Sequence, residues 1–275
     1  MRLNSNERKN GKISPARLAE AIRTLQDTGV VVVDNVFELD LLSELRKEYE
    51  LLLKKYLESK GGLEGLEGKT FGKNHVGFFP DMRGLLGNET FAANPLAVQI
   101  MNAALGSDFH SSFYHTNTAL PGSGIQAVHR DYSHLFGTEM SVPTPVTSLV
   151  LNVPLCDFTE HNGSTEYWPG SHLIVDKKIE DGKNLLERST RLPSSRLNMK
   201  LGSFALRDLR VWHRGMPNNA DYARTMLAIV FHRGFIAEKP ILIPDSLWKT
   251  WSETAKKIYR KNSVVPDIEY RPATW

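Results

Sequence analysis

Apolar residues recur at helical spacing in three segments of the N-terminal part of the chain. In residues 15–27 they fall every three or four positions among polar ones, which predicts an amphipathic helix. Residues 39–58 carry leucines among charged side chains in the same way. Residues 94–105 are also predicted to be helical, because Pro95 stands where proline is favoured, in the first helical turn.

A different pattern consists of short β-branched and aromatic runs separated by turn residues. One such run, residues 29–34, comes early, and the others begin after residue 109. They predict strands in residues 112–119, 125–131, 146–154, 165–168, 203–206, 211–214 and 223–232. A last helical pattern covers residues 246–261, and the glycines of residues 61–69 predict a surface loop.

Many short strands, with helices gathered at both ends of the chain, predict a mainly β fold with flanking helices. The expected architecture is a jelly roll of two packed sheets, supported by helices on one side. We expect a single domain over residues 1–275. Within it, residues 1–108 form a helical buttress with an early strand, 109–235 the jelly-roll core, and 236–275 a C-terminal helix and tail.

Composition and charge exclude several classes of protein. Hydrophobic residues make up 41% and charged residues 24%, as in ordinary globular proteins, and a formal net charge of +3 gives no reason to expect nucleic acid as a partner. A single cysteine, Cys156, excludes an internal disulfide framework. No apolar run could span a bilayer and the N-terminus has no secretory signal, so we expect a cytoplasmic protein whose partner is a small-molecule substrate.

His129 and Asp131 are the first candidates for chemistry. Residues i and i+2 of a strand point to the same face, so both side chains can reach one metal ion. The remaining ligand has to come from another strand, and His213 lies in such a predicted strand. Two imidazoles and one carboxylate form the facial triad that binds Fe(II) and leaves positions open for a co-substrate and O2.

Arg224 is the next candidate. It follows His213 by 11 residues, enough for a tight turn and entry into an adjacent antiparallel strand. An arginine that opens an apolar strand is expected to face a cavity and to need an anionic partner. Its planar guanidinium can bind the far carboxylate of a dicarboxylate whose near end chelates the iron.

The chain between these groups reads Asn-Gly-Ser-Thr-Glu-Tyr-Trp-Pro-Gly-Ser-His over residues 162–172. His-x-Asp, this segment, and His and Arg eleven residues apart, in this order, resemble the phytanoyl-CoA dioxygenase family of Fe(II)/2-oxoglutarate oxygenases. The resemblance implies a cupin-like double-stranded β-helix with the iron inside its mouth and 2-oxoglutarate anchored by Arg224. It also implies a hydroxyl beside the arginine, for which Thr165 is the expected residue. Thr118 is a further candidate, with an ordinary cross-strand threonine as the alternative.

Two residues depart from the family's pattern. Arg130 replaces a frequent glutamine between the two ligands and should face the other side of the strand. Gly215 replaces a frequent serine that helps to hold the dicarboxylate, so the remaining co-substrate contacts are open. The carboxylate of Asp131 favours oxygenation, because halogenating relatives have alanine or glycine there so that chloride can bind iron.

Other histidines are weaker candidates for the third metal ligand. His172 closes the family segment, where the resemblance implies a structural role. His232 lies on the same predicted strand as Arg224, and His134 follows Asp131 at a spacing that carries it away from the metal.

The sequence therefore predicts a dioxygenase that consumes O2 and 2-oxoglutarate, releases succinate and CO2, and oxidises an unactivated carbon of a small organic substrate. Natural-product tailoring is the expected setting. Two other classes stay open at this point. A cupin-like metal-dependent isomerase or hydrolase has no need of Arg224, and a non-catalytic jelly-roll binding module leaves the metal triad unexplained.

Residues 132–144 and 176–200 are expected to be loops that cover the substrate and carry little regular structure. Some aromatic residues are also candidates for an apolar pocket lining. They are Tyr114, Tyr132, Phe136, Trp168 and Trp212.

Overall fold

Six antiparallel strands form the large sheet of the protein. A computed structural model describes residues 1–66, 72–136, 142–175 and 182–272. The strands of this sheet are β1 (Val30–Val33), β2 (His75–Phe78), β3 (His110–Ala119), β4 (Ser148–Pro154), β7 (Phe204–Asp208) and β9 (Arg224–His232). Their order is β1-β7-β4-β9-β3-β2, so strands from distant parts of the chain lie side by side.

A smaller sheet faces the large one. It consists of β5 (Glu166–Tyr167), β6 (Ser195–Arg196) and β8 (His213–Arg214), in the order β6-β5-β8. Residues 125–131 run along its edge as an extended segment with one bridge, His129 to His213, and not as the regular strand that the sequence predicts. The reason is uneven pairing, because Asp131 N donates to Leu209 O (3.0 Å) and not to Val211 O, which regular antiparallel pairing after the His129–His213 bridge would require.

The described residues also contain eight α-helices and a parallel pair of short strands, β10 (Leu242–Pro244) and β11 (Ser263–Val265). The helices are α1 (Ser5–Asn10), α2 (Pro15–Thr28), α3 (Leu39–Ser59), α4 (Glu89–Ala92), α5 (Pro95–Leu105), α6 (Gly182–Ser189), α7 (Asp245–Thr250) and α8 (Glu253–Tyr259). Three of them, α2, α5 and α8, pack against strands of the large sheet. The predicted helices over 15–27, 39–58 and 94–105 are confirmed to within a residue.

The prediction of a single C-terminal helix over 246–261 was wrong. The chain forms α7 and α8 instead, because Trp251 leaves the helical conformation between them. Its indole donates to Gly87 O (2.9 Å), and the Ser252 side chain accepts from Ala255 N to begin α8. A tryptophan anchored in the core thus breaks the helical pattern.

Alternation along the strands of the large sheet separates its two faces. On β9, Leu227, Ile229 and Phe231 belong to the main apolar core with the helices. The intervening residues, among them Ala228 and Val230, line a cavity between the two sheets. This is the jelly-roll arrangement that the sequence predicts, with helices covering only the outer face.

Several predicted boundaries differ in the structure. The large sheet takes β1 and β2 from the first 108 residues, so its strands extend beyond the predicted core of 109–235. Residues 176–200 contain α6 and β6, so the expectation of little regular structure there was wrong. Parts of the predicted loops, 67–69, 137–141 and 176–181, lie outside the described residues. None of the helices in the described ranges combines the length and apolar character that a bilayer crossing needs.

Candidate metal centre and co-substrate pocket

His129, Asp131 and His213 meet at one point between the two sheets. One ligand atom from each lies within 4.8 Å of the other two. Asp131 Oδ1 is 3.8 Å from His129 Nε2 and 3.6 Å from His213 Nε2. The bridge between residues 129 and 213 brings the two imidazoles together, and alternation from His129 to Asp131 adds the carboxylate.

The two imidazoles are oriented by backbone carbonyls. His129 Nδ1 lies 2.9 Å from Ala127 O, and His213 Nδ1 lies 3.0 Å from Val211 O. Each Nδ1 therefore carries the proton and donates it to a carbonyl, which leaves Nε2 with a free lone pair. Both free nitrogens face Asp131 Oδ1, so this donor set fits a divalent metal such as iron.

Asp131 is ionised at this point although its side chain borders a cavity and is only 35% exposed. Burial would raise the pKa of this carboxyl, but the adjacent Arg207 guanidinium holds the pKa well below its usual range. Burial, with Arg207 adding to it, conversely lowers the pKa of His213 well below its usual value. A neutral imidazole and a carboxylate are the protonation states that metal binding requires.

The other candidate histidines are engaged elsewhere. His134 Nε2 lies 3.1 Å from Ile174 O, and His172 Nε2 lies 3.0 Å from Gln26 O. His232 lies in the same cavity, but its Nδ1 bonds Ser148 Oγ at 2.9 Å. The three histidines therefore lie outside the cluster, as the sequence predicts.

Arg224 is the first residue of β9 and is buried in the cavity wall. Its Nε and Nη1 have no hydrogen-bond partner among the described residues, and its guanidinium lies 4.7 Å from the centre of the Phe158 ring. Burial lowers the pKa of Arg224 to about 10, so the group stays charged at neutral pH. A buried cation with free donors is costly unless an anion pairs with it, so the site fits a carboxylate ligand.

The two threonine candidates for binding 2-oxoglutarate, Thr165 and Thr118, have different surroundings. Thr165 is buried and borders the cavity, just before β5. Thr118 also borders the cavity, but its hydroxyl is bound by Tyr49 at 2.7 Å and by Thr225 at 3.0 Å. Tyr49 belongs to the main core with the helices, and Thr225 lies on the same face of β9 as Leu227, so both partners lie on the helix side of the large sheet. The geometry therefore does not support Thr118 as a contact for 2-oxoglutarate.

Gly215 leaves room for two polar side chains that the sequence did not indicate. A Cβ at this position would lie 2.6 Å from Gln126 Oε1 and 2.7 Å from His75 Cε1. Gln126 Oε1 accepts a hydrogen bond from Gly215 N at 2.7 Å, and both side chains line the cavity. A serine side chain at this position would therefore collide with Gln126 and His75 as they are placed.

The cavity has a volume of about 400 Å³. One part of its wall is apolar, with Val150, Leu209, Ala228 and Val230 packed together. Of the aromatic candidates from the sequence, Tyr132 lines the cavity, whereas Tyr114, Trp168 and Trp212 are core residues and Phe136 is exposed. Phe113 and Arg207 also line it, and the sequence analysis missed both.

Comparisons with known proteins agree with this geometry. The family model "Phytanoyl-CoA dioxygenase (PhyH)" matches residues 25–226. The dioxygenase olcK of Penicillium canescens is 24% identical over 267 residues, which cover 86% of this chain and 82% of that protein. The dioxygenase trt7 of Aspergillus terreus is 26% identical over 162 residues, 56% of this chain and 54% of that protein.

Solved structures with the same fold include enzymes crystallised with iron or 2-oxoglutarate. EctD from S. alaskensis with bound Fe matches with a TM-score of 0.59 and 19% identity, over 83% of this chain and 80% of that chain. The α-ketoglutarate-dependent epimerase SnoN from nogalamycin biosynthesis matches with a TM-score of 0.58 and 18% identity, over 80% and 84% of the two chains. The carbocyclase SnoK from the same biosynthesis has a TM-score of 0.58 and 16% identity, over the same shares.

Proposed function

The chain belongs to the phytanoyl-CoA dioxygenase family and is an iron- and 2-oxoglutarate-dependent dioxygenase, and from this premise we propose that it oxidises an unactivated carbon of a small, neutral, largely apolar substrate. The observation that carries the proposal is one cavity that holds both the His-Asp-His cluster and Arg224, whose Nε and Nη1 have no hydrogen-bond partner among the described residues. A non-oxidative cupin-like enzyme would have no use for that buried cation.

Each side chain has a separate part in this proposal. His129, Asp131 and His213 bind Fe(II) through two Nε2 atoms and one carboxylate oxygen. Arg224 binds the far carboxylate of 2-oxoglutarate, and Thr165 is the proposed hydroxyl contact beside it. Bound iron, with 2-oxoglutarate and O2, supplies the oxidising power, while the protein orients the reactants and excludes water.

The charges in the cavity favour a neutral substrate. Its charged lining residues, within the described part of the chain, are Asp131, Arg207, Arg224 and Glu238. Arg207 is paired with Asp131, and Arg224 is assigned to 2-oxoglutarate. Among the described lining residues no cation is then left for an anionic substrate, which would also meet the carboxylate of Glu238.

The remaining polar lining adds hydrogen bonds without adding charge. Burial lowers the pKa of both His115 and His232 to about 4, so both imidazoles are neutral near pH 7. With the apolar wall around Val230, this lining suits a compact organic molecule that carries a few oxygen functions. Natural-product tailoring is the setting that we propose, since SnoN and SnoK act in nogalamycin biosynthesis. Their names, an epimerase and a carbocyclase, indicate that product analysis has to decide between hydroxylation and other oxidative outcomes.

The test uses apoprotein reconstituted with Fe(II) under anaerobic conditions, together with the Asp131→Ala variant. We expect the wild type to bind one Fe(II), to bind 2-oxoglutarate, and to release succinate in air. Asp131→Ala should bind Fe(II) at least about 100-fold more weakly, because losing a ligand exceeds the 10- to 100-fold cost of losing a supporting residue. Equal Fe(II) affinity in the two proteins would contradict the proposed metal-binding triad.

The substrate class is tested with extracts of small molecules separated into neutral and acidic fractions. Mass spectrometry should detect oxidised products from the neutral fraction only, with succinate release increased by the same fraction. Products formed from the acidic fraction alone would contradict the proposed substrate class and would leave the assignment of iron and 2-oxoglutarate intact.

A further inference from the structure

Arg207 is a buried arginine beside the proposed metal site. It lies on β7 and faces the cavity, next to Val150 of β4 in the sheet register. Its side chain is 6% exposed. A charged residue at an inward position of a fully buried strand needs a fixed partner, because an unpaired buried charge is costly.

That partner is one oxygen of Asp131. Arg207 Nη2 donates to Asp131 Oδ2 at 2.6 Å. The other oxygen, Oδ1, is the one that faces His129 Nε2 and His213 Nε2, at 3.8 Å and 3.6 Å. The two carboxylate oxygens therefore have different environments, one held by a guanidinium and one facing the metal position.

Arg207 Nη1 also lies 3.2 Å from His213 Nδ1. A hydrogen bond there would require Nδ1 to accept, which would put the proton on Nε2 and block metal binding. His213 Nδ1 has another contact, Val211 O at 3.0 Å, to which it can donate. In the metal-binding tautomer Arg207 therefore acts through Asp131 and not through His213.

The different environments of the two Asp131 oxygens affect how many coordination positions of a bound metal this side chain would take. Bound Fe(II) would have about six coordination positions, of which the three protein ligands would occupy three. If 2-oxoglutarate occupied two more, one position would remain for O2. If Asp131 bound through both oxygens, it would take that last position. We propose that Arg207 is a positioning residue that holds Asp131 Oδ2 away from the metal and so keeps one coordination position open. This inference rests on the proposed function.

Nitric oxide is a suitable probe, because it binds an open position of ferrous iron and gives a characteristic electron paramagnetic resonance signal. The experiment titrates nitric oxide into the anaerobic Fe(II) and 2-oxoglutarate complex of the wild type, Arg207→Met and Arg207→Lys. Circular dichroism checks folding, and Fe(II) and 2-oxoglutarate affinities are measured separately for each protein.

Arg210→Lys is the matched control. Arg210 is also buried, but its guanidinium pairs with Asp208 at 2.7 Å and not with Asp131. Arg207→Lys and Arg210→Lys both replace a planar guanidinium with a compact ammonium group. Arg207→Lys changes the partner of Asp131, whereas Arg210→Lys changes the partner of Asp208 and of Thr144 O. The control should bind nitric oxide as the wild type does.

For Arg207→Met we expect retained Fe(II) and 2-oxoglutarate binding, with nitric oxide affinity lower by about 10- to 100-fold. Arg207→Lys should fall between this variant and the wild type. Wild-type nitric oxide affinity in Arg207→Met would overturn the inference, as would loss of Fe(II) itself from a folded Arg207→Met, since Arg207 would then only hold the site together. A wild type that binds neither Fe(II) nor 2-oxoglutarate would instead overturn the proposed function.

Discussion

The two faces of the large sheet differ although they are built from the same strands. On the outer face of β9, Leu227, Ile229 and Phe231 are fully buried against the helices. On the inner face the strand begins with Arg224 and ends with His232, both in the cavity wall. β7 repeats the contrast over a shorter distance, with leucine at position 206 facing outward and arginine at 207 facing inward.

This contrast indicates how one sheet supports both stability and chemistry. Apolar area buried on the outer face stabilises the fold. The inner face carries charged and polar groups whose partners are either nearby, as for Arg207, or supplied by a ligand, as proposed for Arg224. Substitutions on neighbouring residues of one strand should therefore affect different properties.

Arg224→Ala should have the largest effect, and the effect should be on 2-oxoglutarate binding. Breaking a buried charge pair typically costs about 3–5 kcal/mol, so 2-oxoglutarate affinity should fall by about 150- to 5,000-fold while Fe(II) binding stays close to that of the wild type. Arg224→Lys should restore part of the affinity, because lysine supplies charge without the planar fork. Titration of 2-oxoglutarate into each Fe(II)-loaded protein measures this, and unchanged affinity in Arg224→Ala would place the anchor elsewhere.

Leu227→Ala, on the outer face of the same strand, should affect stability instead. Truncating a fully buried leucine costs about 2–5 kcal/mol of unfolding free energy, because it leaves a cavity in the core. Chemical denaturation of the apoprotein measures the loss. Affinity for 2-oxoglutarate in the folded variant should match that of the wild type, and a parallel loss of affinity would show that the two faces are not independent.

The inner face should also make stability depend on pH. Burial lowers the pKa of His115 to about 4, below the usual value of about 6.5 for an unfolded chain. As the pH falls, the unfolded state therefore takes up this proton before the folded state does. The contribution of neutral His115 to the free energy of unfolding is complete above pH 6.5 and is lost as the pH falls to about 4. The loss should be on the order of 2–3 kcal/mol of unfolding free energy.

His115→Gln cannot take up this proton, and it provides the comparison. Denaturation of the apoprotein at pH 7 and pH 4 should show a smaller decrease for the variant than for the wild type. Equal decreases in the two proteins would assign the acid sensitivity to other groups.

Local patterns in the sequence predicted a large part of the fold and of the site. The helices over 15–27, 39–58 and 94–105 followed from apolar spacing, and the strand containing Arg224 from an apolar run with a charge at its start. The ligand cluster followed from residue type and the i, i+2 spacing, which the structure brings together with His213. His75 and Gln126 had no comparable signal, because nothing in their neighbourhood marks them as cavity residues.

The sequence by itself determined the class of chemistry, because residue type and strand alternation are local properties. They can be read from a short segment without knowing which other segments pack against it. Only the tertiary structure decided which groups act together. The register of β7 against β4 sets Arg207 opposite Val150 and beside Asp131, and the register of β3 against β9 turns the Thr118 hydroxyl toward Thr225 and away from the cavity. Such pairings join segments far apart in the chain, and a shift of one residue would reverse which side chains reach the cavity.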